Sequence, residues 1–151
     1  MKALLQRVSR AEVTVEGESL GSVASGLLVL LGVEKTDTKL HAEWLARKII
    51  SLRIFEDSDQ KINRSVIDIS GSVLVVSQFT LCADLSRGNR PGFSYAAAPN
   101  FAELLYNEFC VQLKGHGVPI AEGRFGAEMK VDLVNDGPFT IWLDTGDLMR
   151  S

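Results

Sequence analysis

An uninterrupted apolar run at residues 27–33 (LLVLLGV) is the feature that most constrains how this chain folds. It lacks the alternation of polar and apolar residues shown by a strand with one solvent-facing side, which indicates a strand buried on both faces. A second strong strand is predicted at residues 72–76 (SVLVV), and it runs directly into residues 77–81 (SQFTL). The uncharged stretches around both strands are shorter than the ~20 apolar residues of a membrane-spanning helix, so no transmembrane segment is expected.

Two amphipathic helices are predicted. The first follows Thr36-Asp37-Thr38, whose side-chain oxygens are typical N-caps, and continues to residue 50. The second opens at residues 99–100, where Asn100 and Glu103 match a capping box, and Gly115 is a typical C-terminal stop. Each helix carries one apolar stripe at helical spacing: Ala42, Leu45, Ala46 and Ile49 on the first, and Phe101, Leu105, Phe109 and Leu113 on the second.

Strands are predicted on both sides of these helices. They cover residues 2–8, 12–15, 20–23, 27–33, 52–55, 72–76, 118–121, 129–135 and 140–144. They alternate irregularly with the helices, without the rhythm of repeated βαβ units. The pattern therefore predicts one α+β domain over residues 1–151, with a mainly antiparallel β-sheet or barrel-like core and two principal helices.

Composition and charge exclude several classes of protein. Hydrophobic residues make up 46% of the chain and charged residues 23%, which is the balance of a globular domain and excludes a disordered chain. The net charge of −3 argues against a general nucleic-acid coat protein, but it allows a local basic contact with one phosphate-bearing end. Cys82 and Cys110 have no metal or redox spacing and indicate reduced core thiols, so we expect a cytoplasmic protein.

Neither a metal ion nor a cofactor is expected. The two histidines, His41 and His116, are far apart and have no carboxylates at ligand spacing around them. Residues 21–26 have the glycine spacing of a phosphate loop but lack the Lys-Ser/Thr pair that would hold a triphosphate.

The polar segment at residues 77–81 is unusual because it ends a strand that is expected to be buried. Its polar groups can simply cap neighbouring backbone, which is the more common outcome. Alternatively, Ser77 or Thr80 acts as a nucleophile, or backbone N–H groups of the segment bind an oxyanion. No base accompanies the segment in the sequence, and the neighbouring Cys82 is a further candidate nucleophile.

Two loops are candidates for binding or for turns. Residues 87–95 combine two arginines with two aromatic residues, which suits contact with the end of a nucleic acid and equally suits a solvated basic loop. Residues 135–139 (NDGPF) lie between two predicted strands and indicate a tight hairpin connection.

Five motifs occur in this chain in the order in which they occur in one known family. They are residues 1–8 (MKALLQRV), residues 77–81 (SQFTL), Gly88-Asn89-Arg90-Pro91, Phe125-Gly126-Ala127-Glu128-Met129 and Asn135-Asp136-Gly137-Pro138. On these motifs, and over essentially its whole length, the chain closely resembles the D-aminoacyl-tRNA deacylases.

The resemblance implies a homodimer with two active sites at the subunit interface. Each site would join residues 77–81 of one subunit to Gly137-Pro138 of the other. In the family this Gly–Pro bond is cis, and its carbonyls point into the neighbour's pocket. One of them captures the α-ammonium of the substrate, and the pair leaves no space for an L side chain. Glycine, which has no side chain to exclude, is expected to enter as well. The partner molecule would be the aminoacylated 3′ end of tRNA.

The resemblance also implies roles for individual residues. The backbone N–H groups of Phe79 and Thr80 would form an oxyanion hole, while the 2′-hydroxyl of the tRNA assists water; Thr80 as nucleophile remains an alternative. Ser77 would contact the substrate or fix the backbone, and Gln78 and Arg7 would hold the Gly–Pro geometry. Phe125 and Met129 would line the pocket. The remaining expected site residues bind substrate: Asn89, Arg90 and Pro91.

Two residues depart from the family pattern, and three other functions compete with this hypothesis. Phe139 replaces a smaller β-branched residue, and Gly92 stands where serine is common, which affects loop shape and substrate range rather than the reaction. The competing functions are a different small-ester hydrolase that uses Ser77 or Thr80 covalently, a tRNA-end-binding module without catalysis, and a purely structural dimer.

Overall fold

The computed structural model describes residues 1–150. The strands are β1 (Lys2–Val15), β2 (Glu18–Val23), β3 (Gly26–Gly32), β4 (Phe55–Glu56), β5 (Ile62–Arg64), β6 (Ser72–Ser77), β7 (Ile120–Glu122) and β8 (Lys130–Asp144). The helices are α1 (Lys39–Ser51), α2 (Pro99–Gly115) and the short α3 (Thr145–Leu148), and a 3₁₀ turn covers Phe79–Cys82. Within this part of the chain no helix is both long and apolar enough to cross a membrane.

The main sheet has six strands and confirms the predicted α+β class with a barrel-like core. Its order is β2-β1-β3-β6-β7, and β8 pairs with β1. The strands β2, β3 and β8 all pair antiparallel with β1. The sheet is nonetheless mixed, because β6 pairs in parallel with both β3 and β7. Parallel neighbours need long crossover connections, and α1 and α2 lie in the two connections that lead to β6 and β7.

The ends of the sheet come close to each other, which gives the core its barrel-like form. Gly21 in β2 approaches Ala121 in β7 so closely that a Cβ on Gly21 would lie 2.9 Å from the Cβ of Ala121. The smallest residue is therefore required where the two edge strands meet.

The buried strand β3 divides its side chains between two hydrophobic clusters. Leu27, Val29 and Leu31 pack into the larger cluster, which also contains the buried faces of α1 and α2. Leu28 packs into the second cluster, together with Val8, Val13, Leu74 and Val76. Successive residues of a strand point to opposite faces, so a strand between two clusters has to be apolar throughout. The prediction that residues 27–33 are buried on both faces is confirmed for this strand.

Both predicted helices exist, and the second begins at Pro99 as predicted, but its N-cap is not Asn100. Thr38 is the N-cap of α1, as expected. The N-cap of α2 is Ala98, and Pro99 occupies its first turn. Proline suits that position because its missing N–H needs no partner there, so the helix starts before Asn100. The Asn100 side chain instead accepts a hydrogen bond from the N–H of Phe101 at 2.9 Å. Phe101 was expected in the buried stripe but is 38% exposed.

The hairpin predicted at residues 135–139 does not exist. Residues 130–135 pair with residues 8–14 of β1, and residues 140–144 pair with residues 2–6 of the same strand. A hairpin would require the two flanks to pair with each other. Because one long strand accepts both flanks, Asn135–Phe139 forms an irregular bulge within β8 instead of reversing the chain.

Candidate active site

A pocket of about 530 Å³ lies between the end of β6, one face of α2 and the segment after β7. It brings together five of the residues that the sequence indicated: Ser77, Gln78, Phe79, Phe125 and Met129. Its walls are mainly apolar, with contributions from β3 and from the first turns of α2. A concave apolar site with a few polar groups at one edge is the usual form of a small-molecule pocket.

The polar edge of the pocket is the segment that follows β6. The N–H of Gln78 donates to the carbonyl oxygen of Leu31 at 2.7 Å, which holds the end of β6 against β3. The chain then turns into the 3₁₀ helix, where the N–H of Leu81 donates to the carbonyl of Gln78 at 3.2 Å. The first N–H groups of such a turn, those of Phe79 and Thr80, have no acceptor among residues 1–150. They are free to donate to a bound molecule.

The contacts of the Thr80 side chain indicate a structural function rather than that of a nucleophile. Its hydroxyl oxygen accepts a hydrogen bond from the Gln78 side-chain amide, and Thr80 does not belong to the pocket lining. Neither histidine reaches it, since His41 caps the start of α1 and His116 ends α2. A threonine nucleophile needs an adjacent base, and the arrangement supplies none from the described residues.

Cys82 is also a poor candidate for a nucleophile. Its side chain is fully buried in the 3₁₀ turn, and Sγ lies 3.6 Å from the carbonyl oxygen of Val33. Burial raises the pKa of this thiol to about 11, so it is protonated at neutral pH. Both Cys82 and Cys110 are buried free thiols, which confirms the prediction of core cysteines.

The bulge in β8 forms a second group of predicted site residues. Its Gly137–Pro138 peptide bond is cis, and both residues are exposed. Arg7 connects the bulge to the segment before β4. Its Nε donates to the carbonyl of Asp136 in the bulge at 2.9 Å, and its Nη1 donates to the carbonyl of Ile54 at 2.8 Å. Because Arg7 is almost completely buried, these bonds fix the guanidinium in place.

Two further side chains hold the bulge from its flanks. The Asn135 side-chain oxygen accepts from the N–H of Phe139 at 2.6 Å, and its amide donates to the Thr140 hydroxyl at 3.0 Å. The Phe139 ring lies under the Arg7 guanidinium, 4.8 Å from ring centroid to Cζ, in a cation–π contact. The departure at position 139 therefore adds a contact to the anchor of the bulge.

Gly137 and Pro138 do not line the pocket of their own chain. The structure thus places the predicted residues in two separate groups, one around the pocket and one around the bulge.

The loop with Asn89, Arg90 and Pro91 forms a third, separate group. The loop is exposed and does not line the pocket. Two backbone hydrogen bonds between Asp84 and Gly92, at 2.7 and 2.9 Å, close it at its base. A Cβ at Gly92 would make only ordinary contacts, the nearest at 3.8 Å, so the change from serine to glycine leaves this base intact.

Two aromatic residues of the pocket were not predicted from the sequence. Phe93 lines the pocket and packs edge-on against Phe79, with ring centroids 4.9 Å apart. Tyr106 lines it from α2, and its hydroxyl donates to the carbonyl of Val75 at 2.9 Å. The available signal for Tyr106 was its place next to Leu105 on the buried face of a helix, where an aromatic hydroxyl needs a partner.

Among residues 1–150, no group of histidine, cysteine or carboxylate side chains is arranged to hold a metal ion. What the described residues of this site offer is hydrogen-bond donation from backbone amides beside an apolar pocket.

Comparison with known proteins assigns the chain to a family. The profile of a family described as D-Tyr-tRNA(Tyr) deacylase matches residues 4–144. The chain belongs to this deacylase family. Relatives include a D-aminoacyl-tRNA deacylase of Paracoccus denitrificans, 58% identical over 97% of this chain and 99% of the relative. Another, from Thermomicrobium roseum, is 55% identical over 98% of this chain and 96% of its own.

Two solved structures have the same fold as this chain. A protein named c-Myc DNA Unwinding Element Binding Protein has a TM-score of 0.91 and 46% identity, covering 95% of this chain and 98% of its own. A probable eukaryotic D-amino acid tRNA deacylase has a TM-score of 0.81 at 17% identity, covering 94% and 97%, and shares the fold. The deacylase family membership confirms the resemblance seen in the motifs, and it makes the chain an enzyme of the hydrolase class.

Proposed function

We propose that this protein hydrolyses the ester bond between a D-amino acid and the 3′ end of tRNA, in the cytoplasm, and releases free tRNA. The observation that carries the proposal is the pair of unpartnered N–H groups of Phe79, which lines the apolar pocket, and of Thr80, the next residue of the same turn. Such a pair is suited to an oxyanion, and an acyl ester develops one when water attacks it. The names of the relatives supply the substrate class.

The proposed chemistry uses water as the nucleophile. Its oxygen attacks the ester carbonyl carbon, and the two amides stabilise the negative oxygen of the tetrahedral intermediate. The bond to the 3′-oxygen then breaks, and that oxygen takes up a proton. Since residues 1–150 place no side-chain base beside Phe79 and Thr80, we assign the assistance of water to the 2′-hydroxyl of the terminal adenosine. One oxyanion donor is typically worth ~2.7–4 kcal/mol.

We propose further that selectivity depends on a homodimer. Gly137 and Pro138 are exposed and lie outside the pocket of their own chain, while Arg7, Asn135 and Phe139 hold them rigidly. A segment held this firmly, with no role in its own subunit, suits insertion into a partner's pocket. There its carbonyls would bind the α-ammonium and its backbone would exclude an L side chain, whereas glycyl-tRNA would be accepted.

Exposed apolar side chains support the homodimer. Phe79 is 58% exposed at the mouth of the pocket, and Trp142 is 47% exposed on β8, the strand that carries the bulge. Large apolar residues exposed beside a binding site are typical of protein interfaces.

Recognition of the tRNA end is assigned to the loop with Asn89, Arg90 and Pro91. It adjoins Phe93, which lines the pocket, and its arginines are exposed. Arginine binds phosphate through paired N–H groups. The overall charge of −3 favours transient engagement of tRNA over tight binding.

The test is to incubate the protein with D-Tyr-tRNA, L-Tyr-tRNA and Gly-tRNA and to follow the release of each amino acid. Release from the D and glycyl substrates with L-Tyr-tRNA intact is expected. A tRNA ending in 2′-deoxyadenosine should be turned over far more slowly. Sedimentation analysis measures the expected dimer.

Other outcomes of these experiments would support the competing functions. A trapped acyl-enzyme would establish Ser77 or Thr80 as a nucleophile, and binding without release would establish a tRNA-end-binding module. A dimer that neither binds nor hydrolyses the substrates would indicate a purely structural protein.

One of the related proteins of known structure is named for binding to a DNA element. We do not propose that function for this chain, because no observation on its surface favours DNA and its net charge of −3 disfavours contact with a long phosphate backbone.

A further inference from the structure

Tyr106 is a pocket residue of α2 that contacts both β6 and Phe125. It is 3% exposed on the buried face of α2 and forms part of the pocket lining. Its hydroxyl donates to the carbonyl of Val75 in β6 at 2.9 Å. Its ring packs against Phe125, with the centroids 5.9 Å apart. The Tyr106 side chain therefore connects α2 both with β6, the strand that leads to Phe79 and Thr80, and with Phe125.

The carbonyl of Val75 occupies a special place in β6. The pairing of β6 with β7 ends at Val75 and Glu122, and the N–H of Gly123 then donates to the Val75 carbonyl at 3.1 Å. Beyond this point, residues 76–77 of β6 pair only with β3. Val75 therefore offers the last anchor on the β7 side before the chain reaches Phe79 and Thr80.

A carbonyl oxygen has two lone pairs, so Val75 accepts from Gly123 and Tyr106 at the same time. Burial keeps the pKa of the Tyr106 hydroxyl far above its usual value, so the group remains a hydrogen-bond donor over the whole range in which the protein would work. The second bond ties the end of β6 to α2, which the backbone pairing of the sheet does not do.

We propose that Tyr106 is a positioning residue of the deacylase site, whose hydroxyl fixes the end of β6 so that the Phe79 and Thr80 amides face the ester oxygen. The inference rests on the proposed function, because it concerns the placement of the same two donors. It extends that function to a residue on α2.

The experiment compares wild-type protein with Tyr106→Phe, which keeps the ring against Phe125 and removes only the hydroxyl. We expect kcat on D-Tyr-tRNA to fall about tenfold while KM changes less than about twofold, since small displacements of catalytic groups affect the transition state more than binding. Hydrogen exchange of the amides at residues 76–78, the last of which is bonded to Leu31, should become faster in the same variant.

Thr145→Val serves as the matched control. It also removes a buried hydroxyl, one that bonds to the Met1 amino group at 2.7 Å and lies outside the pocket lining. We expect it to lower stability while leaving kcat and the exchange of residues 76–78 at wild-type values.

Each outcome decides a separate point. An unchanged kcat in Tyr106→Phe, or an equal loss of kcat in Thr145→Val, would overturn the positioning role. Wild-type exchange at residues 76–78 in Tyr106→Phe would also overturn it, whatever the activity. A wild-type protein that leaves D-Tyr-tRNA intact would refute the proposed function itself, a result that the exchange measurement distinguishes from failure of the positioning role.

Discussion

Replacing Gly137 by alanine tests the bulge in β8 most directly. Gly137 has φ +146°, a conformation that residues with an L side chain rarely adopt. A Cβ there would lie 2.9 Å from the backbone nitrogen of Phe139 and 3.2 Å from Nη2 of Arg7. The Phe139 nitrogen donates to Asn135, and Arg7 donates to Asp136. The new methyl group therefore displaces atoms that take part in two of the contacts that hold the bulge.

The magnitude follows from these contacts. Backbone strain of this kind costs about 1–3 kcal/mol. For a domain of this size the melting temperature should fall by roughly 2–12 °C. The effect on activity should be larger than this loss of stability suggests, because a displacement of 1 Å at a catalytic site can cost about a hundredfold in rate. We therefore expect the rate of D-Tyr-tRNA hydrolysis to fall by about two orders of magnitude.

Gly117→Ala provides the matched control. Gly117 follows α2 with φ +82°, so alanine meets backbone strain there as well, but a Cβ has no atom of the described residues within 4 Å. This variant should lose stability and keep the wild-type rate. Single-turnover assays with D- and L-Tyr-tRNA measure both variants. If Gly137→Ala retained the wild-type rate and the wild-type preference for the D substrate, the assigned role of the bulge would be wrong.

Three further predictions concern the 3₁₀ turn and the core. Thr80→Ala should keep at least about a third of the wild-type rate, because the backbone N–H and not the hydroxyl is the proposed donor; a loss above about a hundredfold with the fold intact would restore the nucleophile hypothesis. Burial raises the pKa of Cys82 from 9.0 to about 11, so the thiol loses its proton at a lower pH in the unfolded chain than in the folded protein. The free energy of unfolding should therefore decline as the pH rises from 9 to 11. Urea midpoints measured across that range, with a shallower decline expected in Cys82→Ala, check this sign. Gly26→Ala should destabilise the protein by about 3 kcal/mol or more, because its Cβ would lie 1.8 Å from the Ser72 carbonyl oxygen, whereas Gly115→Ala, with nothing within 4 Å, should not. Thermal melts of both glycine variants compare these costs, and equal stability of the two would contradict the close approach of β3 to β6.

The helices and the buried strands could be predicted because their signals are local. Thr38 has a side chain suited to an N-cap, and the stripe from Ala42 to Ile49 records one buried face. The N-cap of α2 was assigned to Asn100 instead of Ala98, because asparagine has the side chain of a typical N-cap and alanine does not. Only the geometry of the first turn decides between them.

The wrong hairpin at residues 135–139 shows a different limit. The sequence of the bulge has the turn residues of a hairpin, and turn residues specify local backbone directions. Whether the flanks then pair with each other depends on the strands available, and β1 is long enough to pair with both. For the same reason, local sequence patterns did not predict that β6 pairs in parallel with β3 and β7.

The sequence by itself determined which segments are buried, which segment carries polar groups at the end of a buried strand, and which family the motifs indicate. Periodicity and motifs record how each residue relates to water and to its neighbours along the chain. The tertiary structure alone decided that Phe93 and Tyr106 complete the pocket and that Gly137 and Pro138 stand outside it. These facts depend on contacts between residues far apart in the chain, and a pattern of burial does not specify which buried residues touch.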